Sequence, residues 1–70
     1  MPSSGKSGSG EIYVEFIVQG NFVRVTAIDP ASGIEAVTMG PAGAPRSALA
    51  DAAIRKLKFM LQKKIDAALK

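Results

Sequence analysis

The chain has no cysteine, no histidine and no tryptophan, with one tyrosine and three phenylalanines among its 70 residues. Without cysteine there is no disulfide framework, and without cysteine or histidine the usual tetrahedral zinc ligand sets are excluded. No apolar run approaches the ~20 residues that a membrane-crossing helix needs. The N-terminal stretch lacks the apolar core of an export signal. These absences lead to the expectation of a cytoplasmic protein that stays off membranes. Catalytic signals are equally poor, because no serine has an evident base beside it. The carboxylates Glu11, Glu15, Asp29 and Glu35 fall at outward or turn positions without metal-ligand spacing. The reading is therefore a non-enzyme with no catalytic residue, no metal and no cofactor.

What is present is unevenly charged. Residues 1–45 carry Lys6 and Arg24 against Glu11, Glu15, Asp29 and Glu35, a net charge of −2. Residues 46–70 carry seven Lys and Arg against Asp51 and Asp66, a net charge of +5. Any polyanion would meet the second half, although a solvated basic face explains the same pattern.

That half, Pro45–Leu69, reads as one amphipathic helix. On a wheel of ~100° per residue, Leu49, Ala50, Ala53, Ile54, Met60, Leu61, Ile65 and Ala68 lie within about 80° of Leu57. Arg55, Lys56, Lys58, Gln62, Lys63, Asp66 and Lys70 lie outside that arc, and Lys64 interrupts it near the end. Good helix formers dominate, with neither Gly nor Pro after Pro45. Ser47 is the candidate N-cap. Asp51 then sits near the positive end of the dipole, with Lys63, Lys64 and Lys70 near the negative end.

The preceding residues alternate with period two. In Glu11–Gln19, Ile12, Val14, Phe16 and Val18 share a face; in Phe22–Asp29, Val23, Val25 and Ala27 do. Gly20-Asn21 between them is a two-residue hairpin turn. That turn pairs Gln19 with Phe22, Val18 with Val23, Phe16 with Val25 and Val14 with Ala27, so apolar meets apolar along one face. Asp29-Pro30-Ala31-Ser32-Gly33 is a second turn, and Ile34–Met39 returns as a third strand. A four-residue loop would turn Ile34, Ala36 and Thr38 inward; a one-residue bulge would substitute Val37 and Met39. Gly40–Pro45 is expected to leave the sheet and link to the helix. Met1–Gly10 is Ser/Gly-rich and is expected to be a flexible tail. Its Gly5-Lys6-Ser7 lacks the earlier glycine and the strand of a phosphate-binding loop.

The expected fold is α+β: one domain over residues 11–70, a three-stranded antiparallel meander with a long C-terminal helix packed on one face. Small residues at Ala27 and Ala36 would let the helix come close. One helix covers one face, so Tyr13, Ile17, Phe22 and Ile28, joined by Val37 and Met39, would remain as an apolar patch on the other. Phe59 projects away from the helix stripe and is grouped with that patch as a candidate protein-interface residue. A chain near 60 ordered residues buries only ~60% of its unfolded surface, so a second copy or another protein is the expected source of further stability. This points to an interaction module that forms a homo-oligomer through the outer sheet face. The alternative is RNA or DNA binding through Arg46, Arg55, Lys56, Lys58, Lys63 and Lys64. A weaker option is an anion held where the Gly40–Pro45 loop enters Arg46 and Ser47.

Four segments carry a resemblance: Gly10–Phe16, Ala27–Glu35, Gly40–Ala42 and Ala53–Leu57. Together they resemble a family of short, uncharacterised alphaproteobacterial proteins over roughly residues 10–64. The motifs are turn and packing motifs. The resemblance implies a bacterial cytoplasmic origin and brings no activity with it. In topology the chain is also similar to the β-β-β-α part of double-stranded RNA-binding domains. It departs from them in lacking a helix before the strands and in having only Arg46 where they carry a lysine cluster, which removes phosphate contacts.

Overall fold

The computed structural model describes residues 11–69, with side chains described through residue 64. The expected tail Met1–Gly10 lies outside the described residues, as do Lys70 and the side chains of Ile65, Asp66 and Ala68. Three strands, β1 (Tyr13–Gln19), β2 (Phe22–Asp29) and β3 (Ile34–Pro41), are followed by one helix, α1 (Arg46–Leu69). The sheet is antiparallel with order β1-β2-β3, so β2 is central and both other strands are edges.

The hairpin has the expected register: Gln19 pairs with Phe22, Val18 with Val23, Phe16 with Val25 and Val14 with Ala27. Gly20 has φ 62°, and among the described residues none other than glycine has positive φ. Positive φ at the first turn position only is the type II′ arrangement, whose twist suits a two-residue hairpin. The second turn closes with four residues, pairing Asp29 with Ile34, and the bulged alternative is not adopted. Its chemistry is local. Gly33 (φ 78°) donates its N–H to the Asp29 carbonyl at 2.8 Å, and the Ser32 hydroxyl donates to the Asp29 carboxylate at 2.8 Å. The Ile34 N–H donates to Ser32 Oγ at 3.2 Å.

Two expectations are corrected. Gly40 and Pro41 belong to β3, paired with Val23 and Phe22. Proline is tolerated there because β3 is an edge and the Pro41–Phe22 pair exchanges no ladder bonds; the next N–H, that of Ala42, donates to the Asn21 carbonyl at 2.8 Å. Ser47 is not the N-cap, since the helix has already begun at Arg46. The Pro45 carbonyl accepts from the N–H groups of both Ala48 and Leu49 at 3.1 Å, placing the cap at Pro45. Asp51 accordingly falls beyond the first turn, and the last described turn carries no basic side chain.

The inner face of the sheet grades in size. Its three rows read Val14–Ala27–Ala36, Phe16–Val25–Thr38 and Val18–Val23–Gly40 from β1 to β3. Side chains shrink toward β3, and the helix settles there: it packs chiefly on β3 and β2 and barely reaches β1. A terminal methyl of Leu49 occupies the space a Cβ on Gly40 would need, so any side chain there has to move Leu49. Val23, Val25, Ala27, Ala36, Leu49, Ala53 and Leu57 form the buried core. On β1 the same face is left partly open. Val14 and Phe16 are half-buried and Val18, expected inward, is 58% exposed.

Candidate functional site

The outer face of the sheet is a grid that the registers define. Its rows are Tyr13–Ile28–Glu35, Glu15–Thr26–Val37, Ile17–Arg24–Met39 and Gln19–Phe22–Pro41. Of the seven large apolar side chains left exposed among the described residues, five lie here: Tyr13, Ile17, Phe22, Val37 and Met39. They are 40–55% exposed, whereas the inner face of β2 is fully buried. Ile28, expected in the same patch, is half-buried, because Tyr13, Thr26 and Glu35 crowd around it.

The centre of this face is polar and tight. Thr26 is buried and Arg24, flanked by Ile17 and Met39, holds its Nε out of water with no hydrogen-bond partner. An orphaned buried donor of a charged group is costly and rare in a settled surface. Glu15 and Glu35 sit in the two rows toward the opposite end. The face therefore combines apolar area, one under-satisfied cation and two carboxylates displaced from it.

Phe59 is 65% exposed on the side of the helix turned from the sheet, with Lys63 Nζ 5.8 Å from its ring centroid. The sheet and helix lie between Phe59 and the outer-face patch, so these candidates form two surfaces and not one. The basic candidates are likewise dispersed. Arg46 stacks its guanidinium 4.9 Å above the Phe16 ring, and Lys56 Nζ donates to the Val37 carbonyl at 2.7 Å. Arg55, Lys58, Lys63 and Lys64 remain exposed at different angles around the helix. Asp51, Ile54, Arg55 and Lys58 line a shallow open hollow on the helix surface. With a carboxylate among its cations, it offers no dedicated phosphate cradle.

Among the described residues no group of three or more His, Cys, Asp or Glu side chains could hold a metal ion. Nor is any described helix long and apolar enough to cross a membrane. What sequence reasoning missed is Gly40, whose role depends on Leu49, and Lys56 as a backbone ligand of the sheet. Neither has a local sequence signal.

The profile of a family described as Domain of unknown function (DUF6898) matches residues 9–64, most of the chain, and the chain belongs to that family. No curated protein and no solved structure gives a match.

Proposed function

We propose that this family member is a non-enzymatic protein-interaction module that self-associates through the outer face of its sheet, working in a bacterial cytoplasm. The observation that carries the reading is the concentration of Tyr13, Ile17, Phe22, Val37 and Met39 on one face that no element among the described residues covers. Contiguous apolar patches rimmed by polar groups mark interfaces more often than chance. A partner placed on this face would also supply an acceptor for the Arg24 Nε, which is buried without one among the described residues. The bacterial setting rests on the resemblance of the turn and packing segments, and the cytoplasm on a composition without cysteine.

Sedimentation at micromolar concentration tests it. The expected result is a mass above the 7.3 kDa of one chain, reduced by Phe22→Glu and by Ile17→Glu. A strict monomer indifferent to both substitutions sinks the proposal. Nucleic-acid binding through the helix is the weaker reading, since Arg46 and Lys56 are already engaged within the fold. It requires binding that falls steeply with salt, and no binding to RNA or DNA at about 50 mM salt ends it.

A further inference from the structure

We infer that β1 is a docking edge for β1 of a second copy of this chain, joined antiparallel to make a continuous six-stranded sheet. The inference uses a different surface from the outer face and stands independently of it.

The backbone carries the first part. The two-residue turn closes on the Gln19–Phe22 pair, so ladder bonds fall on every second pair from there: Ile17–Arg24, Glu15–Thr26 and Tyr13–Ile28. The N–H and C=O groups of Val14, Phe16 and Val18 therefore point away from β2 to the free edge. No described hydrogen bond reaches them. Unpaired strand edges of this kind are templates for another strand unless a charge, a proline or a covering element blunts them. On β3 all three devices are present: the helix overlies it, Lys56 caps the Val37 carbonyl at 2.7 Å, and Pro41 offers no N–H. Among the described residues β1 has none of them; its one charged residue, Glu15, points to the outer face.

The sequence of β1 selects the occupant. An antiparallel pairing centred on Phe16 is the register that uses the whole of Tyr13–Gln19. It sets Phe16 against Phe16, and Val14 against Val18 of the second copy, all on the inner face. On the outer face it sets Glu15 against Ile17 and Tyr13 against Gln19. Apolar meets apolar where burial is needed, and Glu15 never faces itself. About six inter-chain backbone hydrogen bonds result, two for each bonded pair. The two-fold axis is perpendicular to the sheet, so both helices lie on one side. The second copy then covers Val14, Phe16 and Val18, the inner-face side chains that the helix leaves open, with Val18 the most exposed of them at 58%. Arg46 already screens the face of the Phe16 ring, leaving its edge for the contact.

Amide hydrogen exchange and sedimentation on the full chain test this together. In the wild type, the amides of Val14, Phe16 and Val18 should exchange at least about ten-fold more slowly than the edge amides of Met39 and Val37. The mass should be at least twice the 7.3 kDa chain. Val18→Pro removes an N–H that the monomer does not use, so it should halve the mass, release Val14 and Phe16 and leave the far-UV circular dichroism intact. Val18→Lys, which keeps the N–H and places a charge at the contact, should do the same, and it serves if the proline variant fails to fold. Phe22→Glu should leave the edge amides protected, separating this contact from any face-to-face association. A wild type whose Val14, Phe16 and Val18 amides exchange as fast as those of Val37 and Met39 overturns the inference. So does an oligomer that both folded Val18 variants leave whole.

Discussion

The two edges of this sheet are built from similar backbone and end in opposite situations. β3 lies under the helix, accepts a hydrogen bond from Lys56 at its Val37 carbonyl and finishes on Pro41; β1 stands clear of the helix, with no partner for its outward groups among the described residues. The difference traces to side-chain size on the inner face. Ala27, Ala36 and Gly40 make a low surface, while Val14, Phe16 and Val18 make a high one. A helix seeking contact density moves to the low side. Which edge is closed is thus decided by the inner-face side chains and not by the backbone groups of either edge.

The comparison breaks most severely if the helix loses its anchor. Leu57 is fully buried against the sheet, and Leu57→Ala should cost about 2–5 kcal/mol, a large share of the stability of a domain this size. Urea denaturation reads it directly. Were the loss under about 1 kcal/mol, the helix would not be held as the packing implies. Gly40→Val acts on the same contact from the other side. Its side chain must displace Leu49, at a cost of about 1–3 kcal/mol, and it should lift the helix from β3. Faster amide exchange at Ala36 and Thr38, which pair with Ala27 and Val25 of β2, would show β3 loosening, and unchanged stability would remove Gly40 from the account.

Phe16→Ala tests the high side. It flattens the gradient, removes the ring beneath Arg46 and deletes a half-buried side chain, with an expected loss of about 1–2 kcal/mol. Chemical-shift changes should concentrate on the helix face toward β1, at Ala50 and Ile54. Shifts confined to the immediate neighbours of residue 16 would mean that Phe16 does not set the lateral position of the helix.

Much of the architecture was legible without coordinates. Period-two alternation, the Gly20-Asn21 turn and the matching of apolar faces gave the hairpin and its register residue by residue, because each is a local or nearest-strand property. The wheel gave the correct helix face, with Leu49, Ala53 and Leu57 buried as expected. The lateral position of the helix was not legible. A wheel describes rotation about an axis and carries no information on where that axis lies across a sheet. Val18 was therefore expected to be covered and is exposed, and Phe59 was grouped with a patch from which the whole fold separates it. Gly40 and Pro41 read as strand breakers by composition; only their place on an edge, with Gly40 facing Leu49 and Pro41 at a pair that exchanges no bonds with β2, makes them strand residues. For the candidate site, the exposed members Tyr13, Ile17 and Phe22 followed from alternation. The Arg24 orphan did not, since it depends on how three strands close around one side chain.

The smallest effect is also the most specific. Lys56 Nζ reaches the Val37 carbonyl from an exposed position, so its net contribution to stability should be no more than about 0.5 kcal/mol, in line with other solvent-exposed polar contacts. Lys56→Met keeps the length and apolar stem of the side chain and removes only the cap. Stability should barely move, yet the β3 edge now presents an unmet Val37 carbonyl with no cation over it, a condition that favours the addition of another strand. The expected outcome is a new, concentration-dependent association in sedimentation, accompanied by slower exchange at the Val37 and Met39 amides. If the variant instead shows the wild-type mass and wild-type edge exchange, Lys56 is not what keeps β3 closed, and the asymmetry rests on the helix and Pro41 alone.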